Sequence, residues 1–142
     1  LNVLISGDQL LPTISSNVSV FPTEPDANPL ADWIESLGRL KQRVPEDVLV
    51  LPAHGKPFHG AHGRLDDLVT EHAEGLDALA AFCVAPKRAI DVFPTLFRSK
   101  IDRNNLIMAT GESVSHLNYL LNDGRMEARR DADGVVWYRT VE

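Results

Sequence analysis

Thiols are nearly absent from this chain of 142 residues, in which Cys83 stands alone. A lone cysteine excludes an internal disulfide and a cysteine-based zinc site. Flanked by alanine, phenylalanine and valine, it reads as a buried, inert thiol compatible with a reducing cytoplasm. No apolar run approaches the roughly 18–20 residues that cross a bilayer, so no membrane span is expected. A secretory signal is missing too, because the short apolar start from Leu1 to Ser6 has no basic flank before it. The first residue is leucine rather than methionine, so the sequence reads as processed or cleaved at that end. It contains no internal repeat and no low-complexity tract.

What is present suffices for one ordinary domain, or for part of one plus a small second one. Hydrophobic residues make up 44% and charged residues 24%, the balance of a globular rather than a disordered chain. The formal charge of −6 is spread unevenly. Residues 1–82 hold five Lys/Arg against twelve Asp/Glu, whereas residues 83–142 hold nine against eight. The acidic first part argues against broad contact with a phosphate backbone, and the near-neutral second part does not argue for it.

Val3 to Ser6 reads as a buried strand that stops at Gly7-Asp8. The segment from Leu11 to Asn28, with three prolines, predicts a long irregular connection. Asn28-Pro29 predicts a helix start, with asparagine as N-cap and proline in the first turn. Leu30, Trp33, Ile34, Leu37 and Leu40 then follow at helical spacing until Pro45. Val48 to Leu51 is a second buried strand running into Pro52-Ala53-His54-Gly55-Lys56-Pro57. After a turn rich in glycine and histidine, Leu65, Leu68, Val69, His72, Leu76, Leu79 and Ala80 mark one face of a helix of about five turns. Two continuously apolar strands alternating with helices predict a layered α/β arrangement.

Ala85-Pro86 is the expected boundary. A helix over 89–98, interrupted by Pro94, should follow. Asp102 is the expected cap of a longer helix over 103–122 in which Gly111 is a weak point. Asp123-Gly124 stops it, and 126–130 with 135–140 around Asp133-Gly134 predict a β-hairpin.

Each apolar strand ends in a potential metal ligand, Asp8 after the first and His54 after the second. Strand ends place ligands on a rigid scaffold. A carboxylate can bridge two cations, and a neutral imidazole is a common nitrogen ligand for zinc. Together, Ser6-Gly7-Asp8-Gln9-Leu10-Leu11 and Leu51-Pro52-Ala53-His54-Gly55-Lys56-Pro57, separated by a helix, resemble the metallo-β-lactamase superfamily, with its glyoxalase II-like members as the closest likeness. The string Gly111-Glu112-Ser113-Val114-Ser115-His116-Leu117-Asn118-Tyr119-Leu120 and the segments around Phe93-Pro94 and Gly124-Arg125 look like the winged-helix-like extension found on many such hydrolases. The resemblance implies an α/β fold. Residues 1–84 would be the C-terminal part of an αββα sandwich, and 85–142 a small winged-helix-like α+β domain. It further implies two divalent metal ions, zinc first, with Asp8 bridging both and His54 binding one.

The superfamily's His-x-His-x-Asp-His cluster is absent from this sequence. Its five histidines, His54, His59, His62, His72 and His116, all follow Asp8, and none forms His-x-His. Tetrahedral zinc needs about four ligands. The chain alone is therefore expected to bind metal weakly or not at all and to be inactive, with no catalytic residue assigned. The complete protein would be a hydrolase in which metal-bound hydroxide attacks a thioester, lactone or similar ester of a small acyl substrate. His72, His59 and Lys56 are candidates for a supporting or pocket-lining role. Against them stand a hydrogen-bonded core histidine, a loop histidine and a solvated lysine.

Two other readings compete. One is a metal-dependent ribonuclease or phosphodiesterase whose winged domain holds RNA. It is disfavoured because 112–123 contains no Lys or Arg and the cluster of Arg125, Arg129 and Arg130 is flanked by acids. The other is a structural or dimerising role for that domain. The expected partners are the missing N-terminal half of the hydrolase domain and a second copy in a homodimer, with neither nucleic acid nor membrane.

Overall fold

The computed structural model of the chain describes residues 2–141. In order, the elements are β1 (Val3–Gly7), α1 (Pro29–Arg43), β2 (Leu49–Pro52), α2 (Ala61–Phe82), α3 (Phe93–Leu96), α4 (Leu106–Asn122), β3 (Met126–Arg130) and β4 (Val136–Thr140). They group into two discontinuous compact units. The first comprises residues up to Asn17 with Asp32–His72, and the second Val18–Ala31 with the residues from Ala73 on. The expected boundary at 84/85 falls inside the second unit. No helix among the described residues is long and apolar enough to cross a membrane.

In the first unit β1 and β2 pair in parallel, Val3 with Leu49 and Ile5 with Leu51. Parallel neighbours need a long crossover, and the irregular segment plus α1 supplies it. The register slips between Ile5 and Gly7, where Gly7 has φ +55°. A residue with a Cβ would be strained there. The strands were expected to be buried on both faces. Val50 is fully buried, but Ile5 is 81% exposed and Val3 38%. Only two strands form this sheet among the described residues, so the outward face of β1 has no covering layer.

Leu30, Trp33 and Leu37 of α1 are buried, as their spacing predicts. The expected cap bond from Asn28 does not form, since its Oδ1 is buried without a hydrogen-bond partner. Helix α2 runs 22 residues, longer than the five turns expected. Its buried face holds Leu65, Leu68, His72, Leu76 and Leu79, while Val69 is exposed. Arg64, on the first part of α2, donates to the carbonyls of Leu11 and Ile14 and pairs with Glu71. It thereby ties down the loop that follows Asp8.

In the second unit the expected helix over 89–98 is reduced to the single turn α3. Pro94 sits in that first turn, where its missing N–H is harmless. Helix α4 begins at Leu106 rather than 103, because residues 102–105 close a turn of their own. Asp102 Oδ1 accepts from the Asn104 N–H, and Asn105 Oδ1 accepts from the Asp102 N–H. That turn uses up the carboxylate expected to cap the helix. Gly111 is no weak point. The loop backbone crosses it closely, with Val20 N–H donating to the Gly111 carbonyl at 3.0 Å. Asn118 Nδ2 holds the same loop at the carbonyls of Pro25 and Ala27. Strands β3 and β4 form the expected antiparallel hairpin, Met126 opposite Thr140 and Arg130 opposite Val136, turning at Gly134 with φ +83°.

Burial raises the Glu112 carboxyl of α4 from 4.5 to about 7. The folded state therefore holds this proton more tightly than the unfolded chain does. That contribution is complete below pH 4.5 and is lost as pH rises through about 7. Glu112→Gln, neutral throughout, is expected to flatten this slope and to add roughly 1–3 kcal/mol of stability on the alkaline side. Denaturation midpoints near pH 5 and near pH 8 check it, and an unchanged pH dependence in the variant contradicts it.

Candidate metal-ligand site at the strand ends

Parallel pairing brings the C-terminal ends of β1 and β2 to the same edge. The Ala53 N–H donates to the Gly7 carbonyl at 3.0 Å, which locks the two loops side by side. Asp8 and His54 each lie one residue beyond that bond. His54 Nε2 stands 3.5 Å from Asp8 Oδ1, and the two side chains are 70% and 62% exposed. Two donors from distant sequence positions thus meet at an open edge.

Short bonds fix the Asp8 loop. Ser16 Oγ donates to the Asp8 carbonyl. Ser6 Oγ donates to the Leu10 carbonyl at 2.9 Å, and Gln9 Nε2 to Ser36 Oγ at 2.6 Å. Leu10 and Leu11 are buried and anchor the loop from below. On the His54 side, Gly55 has φ +89°, and a Cβ there would stand 2.7 Å from Pro12 Cγ. Only glycine lets the two loops come this close. None of these supports was anticipated from sequence. The hydroxyls of Ser6 and Ser16 flanking Asp8 were the only available signal.

The remaining histidines go elsewhere. His72 is 8% exposed, donates from Nδ1 to the Leu68 carbonyl at 2.8 Å, and packs on Trp33 with ring centroids 4.9 Å apart. His59 Nδ1 lies 3.2 Å from the Asp47 carbonyl, beside the N-terminal end of β2 and so opposite to His54. His62 Nε2 bonds the Val44 carbonyl at 2.8 Å. His116 is buried on α4, its Nδ1 bonded to the Glu112 carbonyl. Lys56 is exposed and makes no ion pair among the described residues.

No group of three or more His, Cys, Asp or Glu among the described residues is arranged to hold a metal ion. Asp8 and His54 fit a divalent cation as two members of a donor set. Two donors fall short of the about four that tetrahedral zinc takes.

The family model "Metallo-beta-lactamase-like, C-terminal domain" matches residues 76–141. Those residues are similar to that C-terminal domain and make up just under half of the chain. The match takes in the end of α2, helices α3 and α4 and the hairpin. Among solved structures, the chain is similar to a beta-lactamase domain protein from Burkholderia ambifaria, with TM-score 0.92 and 43% identity. That similarity covers 98% of this chain and 41% of the other. It is also similar to a metallo-beta-lactamase family protein from Thermus thermophilus, with TM-score 0.80 and 28% identity over 97% of this chain and 42% of that one. The chain therefore spans under half the length of either, and Asp8 and His54 lie outside the matched C-terminal domain. Comparison with curated proteins gives no match.

Proposed function

We propose that this chain is the C-terminal part of a metal-dependent hydrolase and that Asp8 and His54 are two of its metal ligands. The observation that carries this reading is the 3.5 Å approach of two exposed donors at adjacent strand ends. When bound, divalent metals, zinc first, supply Lewis acidity and lower the pKa of water. Asp8 brings two carboxylate oxygens to the edge, and His54 a neutral ring nitrogen. The bonds from Ser16 and Ala53 hold their backbones, so little is left to reorganise when a cation binds. Their exposure leaves room for the remaining ligands, which we assign to the N-terminal half of the same hydrolase domain. The substrate we propose is a small acyl ester, a thioester or lactone. Residues 85–142 serve as a winged-helix-like structural domain, and Cys83, buried and free, suits a cytoplasmic setting.

The uncovered face of β1 supports the same reading. Parallel sheets are ordinarily covered on both faces, yet Ile5 is 81% exposed. In the complete protein, further strands and their layer would bury it. Ile5→Asp is then expected to cost the complete protein several kcal/mol while leaving the isolated chain nearly unchanged. Equal effects in the two, read from urea midpoints, would remove this support.

The function is tested by assaying the complete protein on a thioester, a lactone and a phosphodiester. Turnover of the acyl substrates alone is the expected result. Cleavage of the phosphodiester alone would overturn the acyl assignment and favour the ribonuclease reading.

A further inference from the structure

The second unit carries a feature that the strand-end site does not use. Beyond the hairpin, the segment around Lys87 adds a third row. Lys87 and Tyr138 exchange backbone bonds, Lys87 N–H to the Tyr138 carbonyl at 2.9 Å and Tyr138 N–H to the Lys87 carbonyl at 2.8 Å. Strand β4 is thus flanked by β3 on one side and by this segment on the other. Side chains alternate across such a surface. Tyr138 is buried, so the neighbouring residues face outward. Arg88, Trp137 and Arg129 then fall in one outward row, with Pro86, Arg139 and Glu127 in the next.

This outer surface holds a cleft of about 250 Å³ lined by Pro86, Glu127, Arg129, Arg130, Asp131, Trp137 and Arg139. Trp137 is fixed in place, because its Nε1–H donates to Asp131 Oδ2 at 2.7 Å. That carboxyl is held below its usual range, first by this bond and then by the Val135 N–H. The Arg88 guanidinium lies over the indole, 5.5 Å from its centroid. Arg88 is not among the residues that line the cleft.

The cations differ in how they are satisfied. Arg88 is paired with Asp91 at 2.8 Å, and Arg139 donates twice to Glu127 Oε1, at 3.1 and 2.7 Å. Arg130 donates to the Gly134 carbonyl. Arg129 is 80% exposed, and its ion pair is a 3.8 Å approach to the same Glu127 oxygen that Arg139 already holds. Among the residues lining the cleft, Arg129, Arg130 and Arg139 stand with Glu127 and Asp131, three cations against two carboxylates in a chain of net charge −6.

We propose that this cleft binds a phosphate-bearing aromatic ligand, of which a nucleoside monophosphate is the simplest. The planar ring lies against the fixed indole of Trp137 and the pyrrolidine of Pro86. The phosphate takes the donors of Arg129, more exposed than Arg139 and holding Glu127 only at 3.8 Å where Arg139 holds it at 2.7 Å. Stacking is tolerant of ring identity, whereas the arginine fork selects the phosphate. The cleft lies at or below the small end of ordinary ligand pockets, which suits one nucleotide.

The test is tryptophan fluorescence of the chain titrated with adenosine monophosphate, beside adenosine and inorganic phosphate. Trp33 is 7% exposed, so quenching by a soluble ligand reports on Trp137. Saturable quenching by the monophosphate is expected, with a Kd on the order of 0.1–1 mM and weaker binding of either half alone. Arg129→Gln, at an exposed position, should weaken it about fivefold or more, and Trp137→Phe should abolish the signal while circular dichroism stays unchanged. The proposal is overturned by absence of saturation, by inorganic phosphate binding as tightly as the nucleotide, or by Arg129→Gln binding as the parent does.

Discussion

Alanine in place of Asp8 or His54 is expected to lower hydrolysis by the complete protein by about 100-fold or more, because loss even of residues that only orient metal ligands costs about 10–100-fold. Both side chains are largely exposed and their backbones are held by neighbours, so the fold should survive either change. Denaturation midpoints within about 0.5 kcal/mol of the parent, together with collapsed turnover, are the expected pair of results. His59→Ala is the matched control. Its ring bonds the Asp47 carbonyl beside the N-terminal end of β2, away from the ligand edge. If His59→Ala lowers turnover as much as His54→Ala does, the assignment of the site to the strand ends is wrong.

Within the chain itself, a loss of stability against the trend of helix propensity is expected at Gly111. Helix propensity alone predicts that Gly→Ala inside a helix stabilises by about 1 kcal/mol. At Gly111 the sign should reverse. An added Cβ would stand 2.7 Å from the Val20 carbonyl oxygen and 2.9 Å from Ser19 Cβ. The first of these is backbone, and the Val20 N–H bond to the Gly111 carbonyl holds it in place. Overpacking of this kind costs about 1–3 kcal/mol. Gly75→Ala provides the opposite case in the same chain, since nothing lies within 4 Å of its added Cβ on α2. Chemical denaturation should show Gly111→Ala less stable and Gly75→Ala more stable than the parent. Stabilisation by both would mean that the 18–28 loop does not press on α4 as described.

These two positions also show what the sequence could and could not reveal. The strand–helix–strand unit was legible, because Val3–Ser6 and Val48–Leu51 are short apolar runs and Pro29 marks a helix start. The hairpin was legible from Asp133-Gly134. Gly111 misleads, since a glycine inside a helical pattern looks like a defect until the segment crossing it is known. Asp102 misleads for a related reason, its carboxylate being taken by a local turn with Asn104. The helix expected over 89–98 shrinks to one turn because Pro94 tolerates only the first turn of a helix. Each of these differences comes from a competition between a local signal and a neighbour not visible in one dimension.

The candidate site shows the same division. Asp8 and His54 stand out as strand-ending ligand types, but their 3.5 Å approach depends on the parallel register and on the Ala53–Gly7 bond. The outward row of Arg88, Trp137 and Arg129 was hidden altogether. Arg88 joins it only through the Lys87–Tyr138 bridge, a pairing of segments some fifty residues apart.

The central claim is that Asp8 and His54 belong to a metal centre completed by residues outside this chain. Elemental analysis for zinc, iron and manganese on the complete protein, beside its Asp8→Ala/His54→Ala variant, tests it most directly. One or two metals per chain in the parent, and loss of most of that metal in the folded variant, are the predicted result. The same metal content in both proteins, or none in either, would contradict it.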